Sequence, residues 1–270
     1  MIRRVLKDIR ETWPYWVGMV ALLLVPVAAG WSYGWSQGLF DRIPAPRPKP
    51  DPAALAKAYQ NFREGWQRIL PYLALLHYLV FLLIAVSLFG AEFKHQTMAR
   101  LLAQPVSRRR IWFEKSLAYL FIVSVVLVCE WLIYRKLFRG IEPMYQMAVS
   151  EQDVPIGPWY PGTSWILCFF SVAALALASG TLTSLFLRQT HTAFWAALVL
   201  PVLAFLLLAA GDTLILNLVF GFSVSDWILN WFYFRSDLTF IDLCLFDMGA
   251  VLWFAFVYPL AWLKFKNLEV

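Results

Sequence analysis

Residues 69–89 read ILPYLALLHYLVFLLIAVSLF, residues 90–115 read GAEFKHQTMARLLAQPVSRRRIWFEK, and residues 116–134 read SLAYLFIVSVVLVCEWLIY. An apolar run is followed by a basic segment and then by a second apolar run. A helix needs roughly 20 apolar residues to cross the hydrocarbon core of a bilayer. Two such runs around a short basic connection predict a pair of membrane-crossing helices. The connection is then held at one membrane surface.

Composition extends this reading to the whole chain. Of 270 residues, 61% are hydrophobic and 15% are charged. A soluble domain is nearer half apolar and about a quarter charged, so a soluble core of this length could not hide the apolar surface. The charges are also clustered in a few short stretches, the pattern of a polytopic membrane protein. Cys129, Cys168 and Cys244 lie in or beside apolar runs with no CxxC or Cys/His spacing. They read as small buried side chains rather than a disulfide framework or a zinc site. The net charge of +6 reports topology before it reports nucleic acid, and no nucleic-acid-binding motif is present.

Six stretches qualify, or nearly do, as spans: Trp13–Tyr33, Ile69–Phe89, Ser116–Tyr134, Ser164–Leu187, Thr192–Ala210 and Leu243–Leu263. The first has a basic lead, RRVLKDIR, but its apolar run is long for a signal peptide and five more follow, so it reads as a retained helix. The predicted fold is therefore an all-α integral membrane domain covering residues 1–270. Six spans put both termini on one side, together with residues 92–116. That side holds thirteen basic and five acidic residues, a net of +8. The opposite side holds ten basic and twelve acidic residues, a net of −2. The positive-inside rule then places both termini in the cytoplasm of a cell that keeps this protein in its inner or plasma membrane.

The connections carry their own signals. After the Pro-rich IPAPRPKPDP, Asp51 and Pro52 can start a helix over about 52–68. Its apolar stripe Leu55, Tyr59, Phe62, Trp66 and Ile69 suits either a helix on the membrane surface or a small cap on neighbouring loops. The stretches Leu214–Phe222 and Asp226–Phe234 are apolar but too short to cross, and read as re-entrant or interfacial. Ala176, Gly180 and Ser184 recur at four-residue spacing, which lets helix backbones approach closely in lipid.

In the basic connection, Glu92–Gln104 fits about three helical turns. Phe93, Thr97, Met98, Leu101 and Leu102 share one half of the helical wheel, with Lys94 intruding. Pro105 ends that helix and Ser107 can cap the next. The next begins with Arg108, Arg109 and Arg110. Positive charge at a helix N-terminus opposes the helix dipole, so local stability does not account for these arginines. Topology, anionic lipid headgroups or an acidic partner surface would.

Glu92, Thr97, Leu101, Leu102, Pro105, Val106, Ser107, Arg108, Ile111 and Lys115 resemble the first cytoplasmic loop of the type-2 family of ABC transporter permeases. That loop reads roughly E-x-x-x-G-T, then L-L, then P-[VI]-S-R, then a Lys at the base of the third span. Gln96 stands here where the family has Gly. The match is distinctive over about 25 residues, and the six-span layout extends it loosely to the whole chain. The resemblance implies an exporter subunit coupled to a separate ABC ATPase. In it, Ile2–Glu11 with Arg3, Arg4, Lys7 and Arg10 would be an interface helix on the inner surface. Glu92–Pro105, with Thr97, Met98, Leu101, Leu102, Pro105 and then Arg108, would be the coupling segment. Arg188 and Gln189, in the turn between spans four and five, would make a second contact. It also implies a second permease chain, identical or similar. No G-x-x-x-x-G-K-[ST] is present, so ATP and Mg would sit on the partner and no cofactor is expected on this chain.

Other functions stay open. Ionisable groups inside a membrane are functional candidates, and His77, Glu130, Asp212, Asp242 and Asp247 are those here. His77 stands alone in its span and reads as a packed or hydrogen-bonded residue. Glu130 and Arg135 read as a wet pair at a helix end. Asp242 and Asp247 fall toward the outer end of the last span. No H-E-x-x-H, G-x-S-x-G or paired His/Asp signature supports an intramembrane enzyme. A secondary transporter would show internal repeats, and none is convincing. An intramembrane enzyme and a non-transporting anchor or assembly factor on the same fold remain the alternatives.

Overall fold

The computed structural model describes Arg10, Gly18, Val20, Leu24 and residues 72–90, 107–138, 163–204 and 240–268. Five helices lie in these segments: α1 (Tyr72–Gly90), α2 (Arg108–Phe138), α3 (Thr163–Leu187), α4 (Thr190–Ala204) and α5 (Phe240–Lys266). All regular structure among the described residues is helical. Four helices are long and apolar enough to cross a membrane: α1, α2 over Arg108–Ile133, α3 over Cys168–Leu187, and α5 over Asp247–Lys266. This is the architecture of an all-helical membrane protein. In hydrocarbon only a helix or a closed barrel satisfies its own backbone.

The expected spans and the helices agree closely at α3 and within a few residues at α1. Two run further than hydropathy suggests. α2 has 31 residues, about 46 Å at the usual rise, and starts at Arg108 rather than Ser116. Arg108, Arg109, Arg110, Glu114 and Lys115 lower the hydropathy of its first turns without interrupting the helix. α5 also extends past 243–263 at both ends, with Pro259 inside it. α4 begins two residues before the expected fifth span, whose residues 205–210 lie outside the described residues. So do most of the first span and the whole of the 52–68 helix and the 214–234 region. Gly18, Val20 and Leu24 of the first span are helical and exposed.

α1 and α3 are the central pair. In each, 72% of the spanning window is buried, against 44% for α2 and 22% for α5. They approach closely because Gly180 has no side chain. A Cβ there would stand 2.9 Å from Cβ of Ala85, 3.2 Å from Leu82 and 3.3 Å from Val86. Ala176 and Ser184, one turn away on either side, are fully buried, so the small-residue row is a helix contact as expected. The hydroxyls of α3 do not burden the core. Thr181, Thr183 and Ser184 donate to the carbonyls of Leu177, Ser179 and Gly180 one turn back, at 2.7, 2.9 and 2.6 Å. Outward rows of apolar side chains, such as Phe121, Val128 and Leu132 on α2 and Leu252, Phe256 and Leu263 on α5, face where lipid or another apolar surface must lie.

Gly180→Val is expected to force α1 and α3 apart and to lower stability by about 1–3 kcal/mol, the usual cost of overpacking. Gly18→Ala, whose added Cβ meets nothing within 4 Å, is expected to be neutral or slightly stabilising. Thermal unfolding of the two purified variants in detergent measures the difference.

Candidate functional site

One end of the bundle gathers basic side chains. Ser107 caps α2 as its sequence predicts: its carbonyl accepts from the amides of Arg110 and Ile111 at 2.9 and 3.2 Å, and its Oγ from Arg110 at 3.3 Å. The charged first turns then reach to neighbouring helices. Arg108 Nη1 donates to the carbonyl of Lys266 at the last turn of α5, at 2.5 Å. Lys115 Nζ, buried, donates to the carbonyl of Leu88 near the end of α1, at 2.6 Å. Lys264 of α5 lies 4.9 Å from the ring centre of Phe186 on α3. Arg110 pairs with Glu114 one turn on, at 3.1 Å. Helix C-termini leave carbonyls unsatisfied and carry partial negative charge. The cations that oppose the dipole of their own helix thus complement the dipoles of α1 and α5.

The α3–α4 connection closes the same end. Arg188 and Gln189 alone separate the two helices. Arg188 has φ 54°, the left-handed conformation that ends many helices and normally favours Gly. Its amide bonds to Ser184 O at 3.1 Å, and Gln189 O accepts from the amide of Ala193 at 2.9 Å. Thr190 stands beside the end of α1: its Cγ2 would be 3.0 Å from a Cβ on Gly90.

The expected site residues divide accordingly. Arg108, Arg188 and Gln189 share this end, with Arg188 and Gln189 exposed and Arg108 partly buried. Arg10 is helical and exposed. Arg3, Arg4, Lys7, Glu92, Thr97, Met98, Leu101, Leu102 and Pro105 lie outside the described residues, as does Asp212. Asp242 falls within α5.

Toward the other end the structure brings together two residues that sequence reasoning kept apart. His77 of α1 and Glu130 of α2 are both buried, with Nε2 and Oε1 2.8 Å apart. Glu130 is therefore a buried residue rather than a wet helix-end one, and His77 is not alone. The imidazole is fixed on every side. Nδ1 lies 2.6 Å from Leu73 O one turn back in α1. Phe169 of α3 stacks on the ring at 3.9 Å, nearly parallel, and Phe81 meets it edge-on at 5.7 Å.

These contacts count the protons. A carbonyl oxygen only accepts, so Nδ1 carries a hydrogen. Nε2 and Oε1 at hydrogen-bond distance need another between them. It belongs to a neutral acid donating to imidazole or to an imidazolium donating to carboxylate. In both cases the pair as a whole is uncharged, the condition for a place inside hydrocarbon. Glu130 Oε2 is buried without a partner.

Asp247, partly buried on α5, has Oδ1 without a partner. Cys168 is buried as expected, whereas Cys129 is exposed on α2. Among the described residues no cluster of His, Cys, Asp or Glu could hold a metal ion.

The fold and the basic end define a helical membrane protein with a charged face at one surface. Comparison with family models, with curated proteins and with solved structures finds no match for this chain.

Glu130→Gln keeps a hydrogen bond to neutral His77 and is expected to melt close to the parent. Glu130→Leu strands the Nε2 lone pair and is expected to lose about 1–3 kcal/mol. Paired melting curves in detergent decide. Equal losses for Gln and Leu would show that the carboxylate–imidazolium form holds the pair.

Proposed function

We propose that this chain is the permease subunit of an ATP-driven exporter of the type-2 ABC kind. It would use six spans, both termini in the cytoplasm of the inner or plasma membrane, and an N-terminal interface helix at Arg3–Arg10. A separate ATPase subunit would bind ATP and Mg, and a second permease chain would complete the pathway. The loop motif around Thr97, Leu101, Leu102 and Pro105–Arg108 is the sequence basis.

The observation that carries the reading is a juxtaposition. The end of α1, the start of α2 and the Arg188–Gln189 turn lie at one end of the bundle. Gly90 and Ser107 are the described residues that flank the 92–105 segment in the chain. Both proposed ATPase contacts therefore start from one face. Among the described residues that face is basic, with Arg108, Arg109, Arg110, Lys115, Arg188, Lys264 and Lys266 against Glu114, as a cytoplasmic surface should be. On this reading, closure of the nucleotide domains moves the coupling segment, and the packed helix ends pass the movement on as rigid bodies.

One observation favours a second reading, an intramembrane enzyme. His77 and Glu130 are titratable groups in contact inside the spans. The pair's enclosure between α1, α2 and Phe169 suits a packing role better than a reactive one, and this places the enzyme second.

Mild-detergent capture of the tagged chain from its native host is expected to bring down a stoichiometric protein with a Walker motif. Capture without an ATPase, under conditions that hold a known transporter together, would favour the enzyme or anchor. In the assembled complex, Pro105→Ala with Leu101→Asp is expected to leave insertion intact and to uncouple ATP hydrolysis from transport. Normal transport by that variant would refute the coupling assignment.

A further inference from the structure

Three of the four cations in the first turns of α2 have partners inside the chain. Arg108 is bonded to Lys266 O, Arg110 to Glu114 and Lys115 to Leu88 O. Arg109 is the exception: it is exposed, with no hydrogen bond or ion pair among the described residues. The ammonium group of Lys266 is likewise free there, and it stands at the end of α5 that Arg108 clamps to α2. Two free cations are thus held near each other and near the positive N-terminal end of α2. Each raises the cost of the other.

The space beside them is shaped. One hollow of about 530 Å³ is lined by Arg108, Arg109, Trp262 and Lys266. A second of about 570 Å³ adjoins it, sharing Arg109 and Trp262, and runs along Trp112, Phe113, Tyr258 and Pro259. The wall of the first hollow is mostly apolar, made by Trp262 and the stems of its three cations, and the second is mostly aromatic and also carries Ser107 and Arg110. Trp112 packs at 5.2 Å from Tyr258 and 5.7 Å from Trp262, so the aromatic wall belongs to the bundle's own packing. The groove lies at the start of one candidate span and the end of another, where charged side chains replace apolar ones. Basic pockets between membrane helices suit anionic headgroups, and Trp and Tyr suit the adjoining interface.

We propose that this groove between the first turns of α2 and the last turns of α5 binds an anionic phospholipid. Its phosphodiester sits between Arg109 and Lys266, and its glycerol and upper acyl carbons lie along Trp262, Trp112 and Phe113. A soluble phosphate would meet the cations and leave the aromatic wall unused, so the lipid is the occupant the whole groove fits. The site does not depend on the exporter reading, because any membrane-inserted form of the chain presents it.

The test uses the full chain in detergent, titrated with phosphatidylglycerol, with phosphatidylcholine of the same acyl chains, and with inorganic phosphate. Thermal midpoint and lipids retained in native mass spectrometry are the readouts. Phosphatidylglycerol alone is expected to raise the midpoint and to be retained. Arg109→Gln with Lys266→Gln is expected to weaken its apparent affinity at least tenfold. Arg109→Lys, which keeps the charge, and Arg188→Gln, at the same end but outside the groove, are expected to bind as the parent does. An equal response to phosphatidylcholine overturns the proposal, as does undiminished phosphatidylglycerol binding by the double variant. An equal response to inorganic phosphate assigns the cations to a soluble anion and overturns it too. If the double variant melts lower without lipid, Arg109→Glu alone, a change at an exposed position, must still abolish retention for the proposal to stand.

Discussion

The last carbonyls of a helix have no partner within it, and the ends of these helices are organised around that constraint. The buried Lys115–Leu88 contact is its clearest expression. An ammonium group from α2 turns inward to close the end of α1, and Arg108 closes the end of α5 at an exposed contact. Both bonds join the start of one helix to the finish of a neighbour, so they fix antiparallel order as well as satisfying backbone. A hydrogen bond from a charged donor is worth about 1.5–3 kcal/mol. The base of α2 is consequently the junction on which the basic end is built.

The buried polar pair follows the same rule at the opposite end. His77 and Glu130 are tolerated because they arrive at zero net charge and because aromatic faces fill the remaining space. Tyr78 and Tyr119 repeat the solution in simpler form. Each donates to a carbonyl of a facing helix, Ala197 and Ala173, at 2.7 Å. Trp253 of α5 reaches Ser179 of α3 at 3.0 Å. Polar cross-links of this kind fix helix rotation in a medium where apolar packing alone discriminates weakly between faces.

Local features were the legible ones. Apolar run length located α1 and α3, hydroxyl chemistry identified Ser107 as a cap, and four-residue spacing of small side chains marked the face of α3 that meets α1. Each depends only on neighbours in the chain. The His77–Glu130 pair joins residues 53 apart, and spacing carries no information on how two helices are rotated against each other. The reach of α2 back to Arg108 was hidden for a related reason. Charged residues lower a hydropathy average whether they face water or a neighbour's carbonyls. Arg108 and Lys115 face carbonyls, and a backbone partner leaves no trace in residue types. Cys129 was misread because a small apolar side chain serves lipid and core alike.

The bond from His77 Nδ1 to Leu73 O also bears on how the protein is made. α1 precedes α2 in the chain, so His77 enters the bilayer ahead of Glu130. With Nδ1–H already bonded to its own helix, the imidazole enters with Nε2 as its one unmet nitrogen. The helix thus brings its histidine across the translocation machinery as a nearly self-contained polar group. Capture of Nε2 by Glu130 then makes the meeting of α1 and α2 a distinct assembly event, later than insertion.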